Sequence, residues 1–246
     1  MHILLTISYD GTNYAGWQRQ ENAVAVQQVL EEALSTLLNR SISISGASRT
    51  DAGVHALGQC ASFRAPDLRV PLDKLPVVLN GLLPPDISVT AAKIVSSDFS
   101  PRFGALHKTY TYTIYNAAHP NPLLSRYSAF VPQKLDIEKM QQAAVSFVGK
   151  HDFAAFCATG SSAKTTVREI YSCTVDDVDN LIKITICGNA FLYNMVRIIA
   201  GTLVYTGLGK IHYCEIPNII ALKNRKLAGK TMPPQGLTLI EITYPL

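Results

Sequence analysis

Three side chains with acid–base chemistry lie on one short segment, residues 46–56. Its sequence, Gly-Ala-Ser-Arg-Thr-Asp-Ala-Gly-Val-His-Ala, contains Arg49, Asp51 and His55. A guanidinium two residues from a carboxylate can orient that carboxylate and keep it ionised, ready to act as a base or a nucleophile. The alternative is a surface turn with a solvated Asp–Arg pair, which contributes little. Loops on rigid scaffolds often carry function, so the chemical interpretation is favoured.

Two predicted strands must position this loop. Residues 42–45 alternate apolar and polar side chains like a half-buried strand, and residues 59–64 form a second plausible strand. Gly46 and Gly53 bound the loop and permit backbone angles that other residues avoid. The sequence therefore predicts a strand–loop–strand unit that presents Asp51.

A second charged group stands where the sequence predicts burial. Arg197 lies between Val196 and Ile198 in an apolar helix predicted from Tyr193 to about Thr206. A charge there is costly unless it is paired, and a buried catalytic aspartate is a natural partner. The alternative, in which the side chain extends along the helix to the surface, stays open at this point.

Two further segments offer groups for a nucleic-acid ligand. In the β-prone segment 107–115, a period of two places Tyr110 and Tyr112 on one face, where a tyrosine ring can stack on a base. The turn-rich loop after the first strand contains Trp17, which we expect to fill the core. Its neighbours are polar and we expect them to face a ligand: Gln18 and Arg19.

The composition narrows the possible classes of protein. With 246 residues, 48% of them hydrophobic, the chain is long enough for one large domain or two moderate ones. Its net charge of +4 permits a polyanionic partner without requiring one. Neither the five scattered cysteines nor the six histidines show metal-ligand spacing, so we expect no disulfide framework and no metal. No segment resembles a signal peptide or a membrane span, and we expect a cytoplasmic protein.

Hydrophobic periodicity and turn residues predict an α+β chain. The first half has the order β-α-β-β-α-β of ferredoxin-like and RNA-recognition folds. Its predicted elements are strand 3–9, a helix from Val26 to near Asn39, strands 42–45 and 59–64, a helix beginning at Pro71 and strand 87–95. The second half is predicted to contain strand 107–115, a helix from Asp136, a loop-rich stretch 149–165, strands 167–175 and 181–188 around an acidic turn, helices 193–206 and 216–223, and strand 236–244. We therefore predict two fused ferredoxin-like α+β domains with mainly antiparallel sheets and a cleft between them, residues 1–104 carrying the Asp51 loop and residues 105–246 completing the cleft.

The segment Arg49–Ala56 resembles the signature of the tRNA pseudouridine synthase A family. The order and spacing of further motifs are similar to the family across nearly the whole chain: Tyr9-Asp10-Gly11, Gly16-Trp17-Gln18-Arg19-Gln20, Lys108-Thr109-Tyr110-Thr111-Tyr112, Asn189-Ala190-Phe191-Leu192-Tyr193-Asn194-Met195-Val196-Arg197 and Gly236-Leu237. One departure is Ser48, where relatives commonly have glycine, and it bears on the backbone of the loop.

The resemblance implies an isomerase that converts uridine to pseudouridine in the anticodon arm of tRNA, at positions 38, 39 and 40. It implies that Asp51 is the catalytic aspartate, that Arg49 and Arg197 are its partners, and that Tyr110 is the active-site tyrosine. It also implies a homodimer with two active-site clefts that works without cofactor or metal. The other residues expected to contact the substrate are Leu237, Gln18, Arg19 and His55.

The implied reaction breaks the N1–C1′ bond, turns the base and joins C5 to C1′. An ionised Asp51 could attack C1′ or remove the 2′ proton, and the sequence does not choose between these routes. Tyr110 could stack on the flipped base. Seven basic residues could follow the RNA backbone: Arg19, Lys164, Arg168, Lys223, Arg225, Lys226 and Lys230.

Two other functions compete with this one. A non-catalytic RNA-binding module would use Tyr110 and Tyr112 as stacking platforms, but it leaves Asp51 unexplained because a carboxylate in a groove for a polyanion repels its ligand. A hydrolase with two carboxylates would need a second acid in a comparable setting, and the sequence offers none.

Overall fold

The structure is a computed structural model that describes residues 1–245. The chain divides into two compact units. The first unit comprises Met1–Leu106 together with the chain end from Leu239, and the second comprises His107–Thr238. In this division the chain end counts with the first unit, whereas the ranges predicted from the sequence place it in the second.

Residues 1–245 contain ten strands and five α-helices, besides short 3-10 turns. In chain order they are β1 (His2–Tyr9), α1 (Val26–Leu38), β2 (Ser45–Gly46), β3 (His55–Arg64), α2 (Leu75–Asn80), β4 (Ile87–Val95), β5 (His107–Asn116), β6 (Ala129–Val131), α3 (Ile137–Val145), β7 (Gly149–Asp152), β8 (Val167–Val178), β9 (Leu181–Gly188), α4 (Met195–Gly207), α5 (Ile216–Leu222) and β10 (Leu237–Thr243).

The first unit is built on a sheet with the strand order β4-β1-β3-β10. Strand β1 pairs antiparallel with both β3 and β4, and the short β2 pairs with β3. Helix α1 buries Val26, Leu30 and Leu34 at helical spacing, and it ends where Asn39 adopts a left-handed backbone conformation with φ of 49°. The predicted bounds of this helix and of β4 are confirmed.

The second unit has the strand order β5-β9-β8-β7, with antiparallel pairing between neighbours. Strand β6 pairs with β5 in parallel. The predicted alternation of β5 is confirmed, since Tyr110, Tyr112 and Ile114 are buried and the residues between them are half-buried. Helix α4 is buried on nearly every side. The mainly antiparallel α+β fold predicted from the sequence is confirmed.

Three predicted elements of the first half are wrong in extent. Strand β3 begins at His55 and not at Gln59, so His55 lies in the strand and not in the predicted loop. The backbone of residues 42–44 forms no strand, because its amides bond to helix α1 instead: Ile42 N donates to Ser35 Oγ and Ile44 N to Glu31 Oε1. The helix expected from Pro71 begins only at Leu75, because the amide missing from Pro76 suits the first turn of a helix and would interrupt a longer one.

In the second half the predicted pattern is incomplete. The sequence analysis did not predict β6, and β7 lies in the stretch expected to be loop. Strand β8 extends to Val178, and the hairpin turns at Asp179 and Asn180, both with positive φ. No helix within residues 1–245 has the length and apolar character needed to cross a bilayer.

Candidate active site

The loop that carries Asp51 is fixed by the residue before it. The hydroxyl of Thr50 shares a buried 2.7 Å hydrogen bond with Tyr9, and the carbonyl of Thr50 accepts from the amide of Trp17 at 3.1 Å. Gly16 packs against the same peptide so closely that a Cβ atom would overlap the Thr50 oxygen, and its φ of +92° excludes most other residues. Strand β1 and the loop that follows it thus set the backbone beside Asp51.

The loop closes in a turn directly after Asp51. The carbonyl of Asp51 accepts from Val54 N at 3.1 Å, and Gly53 N donates to Tyr14 O. Gly53 has a φ of +76°, as the sequence predicted for a glycine in this loop. Asp51 itself is half-buried. A short loop held by these backbone hydrogen bonds therefore presents a carboxylate that solvent still reaches.

Gly46 has a different function from the one predicted. Its φ is not positive, and it is required because the indole of Trp17 lies against it, with Cε2 only 2.6 Å from where a Cβ atom would be. Trp17 is 2% exposed, which confirms that it fills the core. The beginning of the loop is thus anchored by close packing, not by an unusual backbone angle.

The side chain of His55 is buried, with 5% exposed. Its Nδ1 lies 3.0 Å from the amide nitrogen of Gly11 and 3.1 Å from Asp10 Oδ1. The ring therefore holds the 3-10 turn Gly11–Asn13 against the start of β3. This position favours a structural role over the direct substrate contact that the resemblance implies.

Arg49 and the polar residues of the first loop form a network on helix α1. Arg49 Nε donates to Gln18 Oε1 at 3.2 Å, and Gln18 donates to Gln27. Arg19, whose side chain is 54% exposed, forms a 3.0 Å ion pair with the buried Glu31. Within residues 1–245 Arg49 forms no ion pair with Asp51. Its guanidinium is held by Gln18 instead.

In the second unit, Tyr110 lies on β5 and is 5% exposed. Its ring meets Phe191 edge to face, with centroids 5.1 Å apart and an interplanar angle of 79°. The neighbouring Tyr112 is fully buried and donates to Pro233 O at 2.8 Å, and burial raises its pKa well above the ordinary value. Tyr112 is therefore a core residue, whereas Tyr110 is a rigidly held ring at the edge of the core.

Arg197 lies in the first turn of α4 and is half-buried. Its Nε donates to Met232 O at 2.7 Å and its Nη1 to Asn194 Oδ1 at 2.6 Å. Asn194 reaches this position from a left-handed backbone conformation, with φ of 60°. The planar fork is thus oriented by two acceptors of its own unit, which decides against a side chain that simply extends to the surface.

Comparison with known proteins bears directly on this arrangement. The family model described as tRNA pseudouridine synthase matches residues 5–104 and 143–245, which include Asp51 and Arg197. The chain belongs to the tRNA pseudouridine synthase A family. A curated tRNA pseudouridine synthase A from Ruminiclostridium cellulolyticum is 51% identical over 243 residues, covering 98% of this chain and 99% of the relative. Those from Acetivibrio thermocellus and Caldicellulosiruptor bescii are 48% and 46% identical, and each comparison covers 99% of both chains.

The predicted family and enzyme class, an isomerase acting on tRNA, are thereby confirmed. Tyr110 falls between the two ranges that the family model matches, but the full-length relatives span it. Leu237, also within the matched range, is buried at the start of β10. Next to it, Gly236 packs on the ring of Tyr112, where a Cβ atom would lie 2.6 Å from Cζ.

The sequence analysis missed the residues that hold Arg197. Residues 228–232, called here the 228–232 segment, lie beside α4: Gly229 N donates to Thr202 Oγ1, and Met232 N donates to Arg197 O. The contact needs glycine at both Gly201 and Gly229, because a Cβ atom on either would overlap the other chain segment. Gly229 followed by Lys230 and Thr231 resembles only the end of a phosphate-binding loop, and its actual function is this close approach.

Most of the basic residues expected to follow RNA have partners within the protein. Lys223 forms a 2.7 Å ion pair with Asp152, which lowers the pKa of that carboxyl group. The guanidinium groups of Arg168 and Arg225 donate to backbone carbonyls, and burial lowers the pKa of both. The other three of the seven are exposed lysines: Lys164, Lys226 and Lys230. Within residues 1–245 no cluster of three His, Cys, Asp or Glu side chains is arranged to hold a metal ion.

Proposed function

We propose that this chain isomerises uridine to pseudouridine at positions 38, 39 and 40 of the anticodon arm of tRNA, with Asp51 as the catalytic nucleophile or base. Family membership supports the reaction and the tRNA substrate. The observation that supports Asp51 is the fixed loop: Thr50 is bonded on both its side chain and its carbonyl, so the adjacent carboxylate needs little reorganisation to meet a sugar.

The reaction requires a carboxylate that acts at the ribose of the target uridine. The N1–C1′ bond breaks, the base turns in the site, a C5–C1′ bond forms, and the C5 proton leaves while N1 gains one. Asp51 either forms an ester with C1′ or takes the 2′ proton, and both routes require it to be ionised. A primary isotope effect from a 2′-deuterated target uridine is expected only for proton removal.

The other proposed site residues bind and orient the base and the charge. Tyr110 offers a ring in edge-to-face contact with Phe191, suited to stacking on an extruded base, and a hydroxyl that can relay the C5 proton by taking it up as its own proton passes to solvent. Arg197 contributes a guanidinium whose direction is set by Met232 O and Asn194. Arg49 is proposed as a charged partner of Asp51, and Gln18, Arg19 and Leu237 complete the proposed substrate contacts, whereas the buried His55 holds the Gly11–Asn13 turn.

The proposed enzyme is a homodimer of the cytoplasm, where its tRNA substrate is found. Sedimentation of an active preparation at the assay concentration tests the dimer. A fully active monomer would exclude it.

The decisive experiment is tritium release from tRNA labelled at uridine C5, without added cofactor. We expect release by the native enzyme. Asp51→Asn, which is similar in shape but cannot act as base or nucleophile, should retain less than about a thousandth of the turnover while binding tRNA normally. The matched control is Asp67→Asn, the same substitution at an exposed aspartate of the same unit.

The possible outcomes separate the alternatives. Tritium release by Asp51→Asn above that level would remove Asp51 from the chemistry. Binding of tRNA without release by the native chain would instead identify a non-catalytic RNA-binding protein.

A further inference from the structure

The second unit contains a groove of about 630 Å³ that the proposed chemistry does not use. It lies between the segment that follows β6 and the C-terminal end of α4. We call it the lysine groove and define it by six of its lining residues: Phe130, Gln133, Lys134, Tyr205, Lys210 and Lys230.

The charge of the lysine groove has one sign. Lys134, Lys210 and Lys230 are all exposed, and the residues described as lining the groove include no carboxylate. The neighbouring Asp136, whose amide donates to Gly207 O, is neutralised by Lys139 at 2.8 Å. Three cations around one concavity attract a polyanion more strongly than the overall charge of +4 suggests.

Aromatic rings lie among these cations. The ammonium group of Lys210 is 5.1 Å from the ring centroid of Tyr205, and the ring of Phe130 is 39% exposed in the same groove. Lysines that neutralise phosphates beside rings that can contact bases are typical of sites for single-stranded nucleic acid. An acidic protein segment would need the charges but not the rings.

The lysine groove lies on the same face of α4 as Arg197. Arg197, Gly201, Val204 and Leu208 follow one another at spacings of three and four residues, which is one helix face. Val204 and Leu208 line the groove, so it begins about 10–17 Å along the helix from Arg197 at about 1.5 Å per residue. At about 3.4 Å per nucleotide of a stacked strand, that distance corresponds to roughly three to five nucleotides.

We propose that the lysine groove binds the phosphodiester backbone of the tRNA substrate roughly three to five nucleotides from the target uridine. The proposal rests on the proposed function, because it counts nucleotides from a uridine bound near Arg197. The lysine groove would then hold the strand that flanks the target while the base is extruded. It adds Lys134 and Lys210 to the one groove lysine that the sequence already suggested, Lys230.

The test is the salt dependence of tRNA binding by Lys134→Ala, Lys210→Ala, Lys230→Ala and the triple variant. Each lost phosphate contact should lower the slope of log K against log salt by about 0.7, and the triple variant by about 2. The factor by which tRNA affinity falls between 50 and 200 mM salt should therefore be roughly 20-fold smaller for the triple variant than for the native enzyme. The matched control is Lys183→Ala. Lys183 is an exposed lysine on β9, opposite Asp176 of β8 and Thr113 of β5, and its side chain lies on the other face of the sheet from Tyr110.

A second probe locates the contact on the RNA. An anticodon-arm hairpin with uncharged methylphosphonates three to five nucleotides on both sides of the target should bind the native enzyme with the reduced slope. The triple variant should not distinguish this hairpin from the unmodified one. If the triple variant shows a still lower slope with the modified hairpin than with the unmodified one, the lysines contact other phosphates and the proposal is overturned.

The remaining outcomes are equally decisive. An unchanged slope in the triple variant overturns the proposal, and so does a loss of slope in Lys183→Ala equal to that of a groove variant. A shift in sedimentation without a change in slope also overturns it, because it would assign the groove to contact between copies of the chain. Absence of tritium release by the native enzyme would contradict the proposed function, while the slopes would still decide whether the groove binds RNA.

Discussion

Gly201 is the position where one added methyl group should reveal how Arg197 is held. In Gly201→Ala the new Cβ atom would overlap Lys230 O and lie 3.0 Å from its carbonyl carbon. Both are backbone atoms of the 228–232 segment and cannot rotate away. The segment and α4 must therefore separate, and the same segment carries Met232 O, the acceptor for Arg197 Nε.

Two opposing effects decide the change in stability. Overpacking against backbone should cost on the order of 3 kcal/mol, the upper part of the usual range. Replacing glycine by alanine inside a helix gains about 1 kcal/mol. The net loss should be about 2 kcal/mol, which lowers the melting temperature by about 4–8 °C for a chain of this size. Thermal unfolding followed by circular dichroism measures it.

Activity should fall in the same variant, because Arg197 loses its set direction. A displacement of about 1 Å can cost about 100-fold in turnover even when the chemistry is intact. The control is Gly207→Ala on the same helix, where the new methyl group meets only the flexible side chains of Met140 and Leu135. A Gly201→Ala enzyme with native stability and native turnover would refute the reasoning, because the 228–232 segment would then be free to move without consequence.

Two further predictions concern single side chains. Tyr110→Phe keeps the edge-to-face contact with Phe191, so we expect native stability within about 1 kcal/mol but a turnover reduced about 100-fold or more, measured by tritium release. Full activity would make Tyr110 a stacking platform only. The hydrogen bond from Lys223 lowers the folded-state pKa of Asp152. Ionised Asp152 therefore stabilises the fold at pH values above its unfolded pKa of about 3.9, and this contribution is lost as the pH falls through the folded pKa. Urea unfolding of native protein and Asp152→Asn should show a difference at pH 7 that disappears near pH 2, and a constant difference would contradict the assignment.

Local sequence patterns predicted the elements whose bounds depend on residues close together in the chain. The bounds of β4 and β9 and the end of α1 at Asn39 follow from alternation and turn residues close in the chain. Residues 42–44 have the pattern of a strand, but side chains of α1 take their amides, and no property of the segment itself indicates that. The same limit explains the missed β6, three residues whose only signal is their pairing with β5.

The candidate site was predictable in its residue types but not in its contacts. A loop with Asp51 between glycines is visible in the sequence, whereas the partner of Arg49 is Gln18 because the first loop packs on α1. For Arg197 the sequence indicated that an anionic partner was needed and suggested the catalytic aspartate, which stays a prediction. Two acceptors that the sequence did not indicate also hold it: Asn194, which caps the helix three residues earlier, and the carbonyl of Met232, which only tertiary structure brings there.

The split of the first unit between the two ends of the chain has a consequence for biosynthesis. Strand β3 is complete early, but its sheet neighbour β10 emerges from the ribosome only after the whole second unit has been made. At about 5–20 residues per second that delay is on the order of ten seconds, during which part of β3 remains an unpaired edge. The second unit, continuous in sequence, can fold in that interval. The second unit can therefore complete its fold before the first, although translation of the first begins earlier, and β10 then completes the sheet of the unit that carries Asp51.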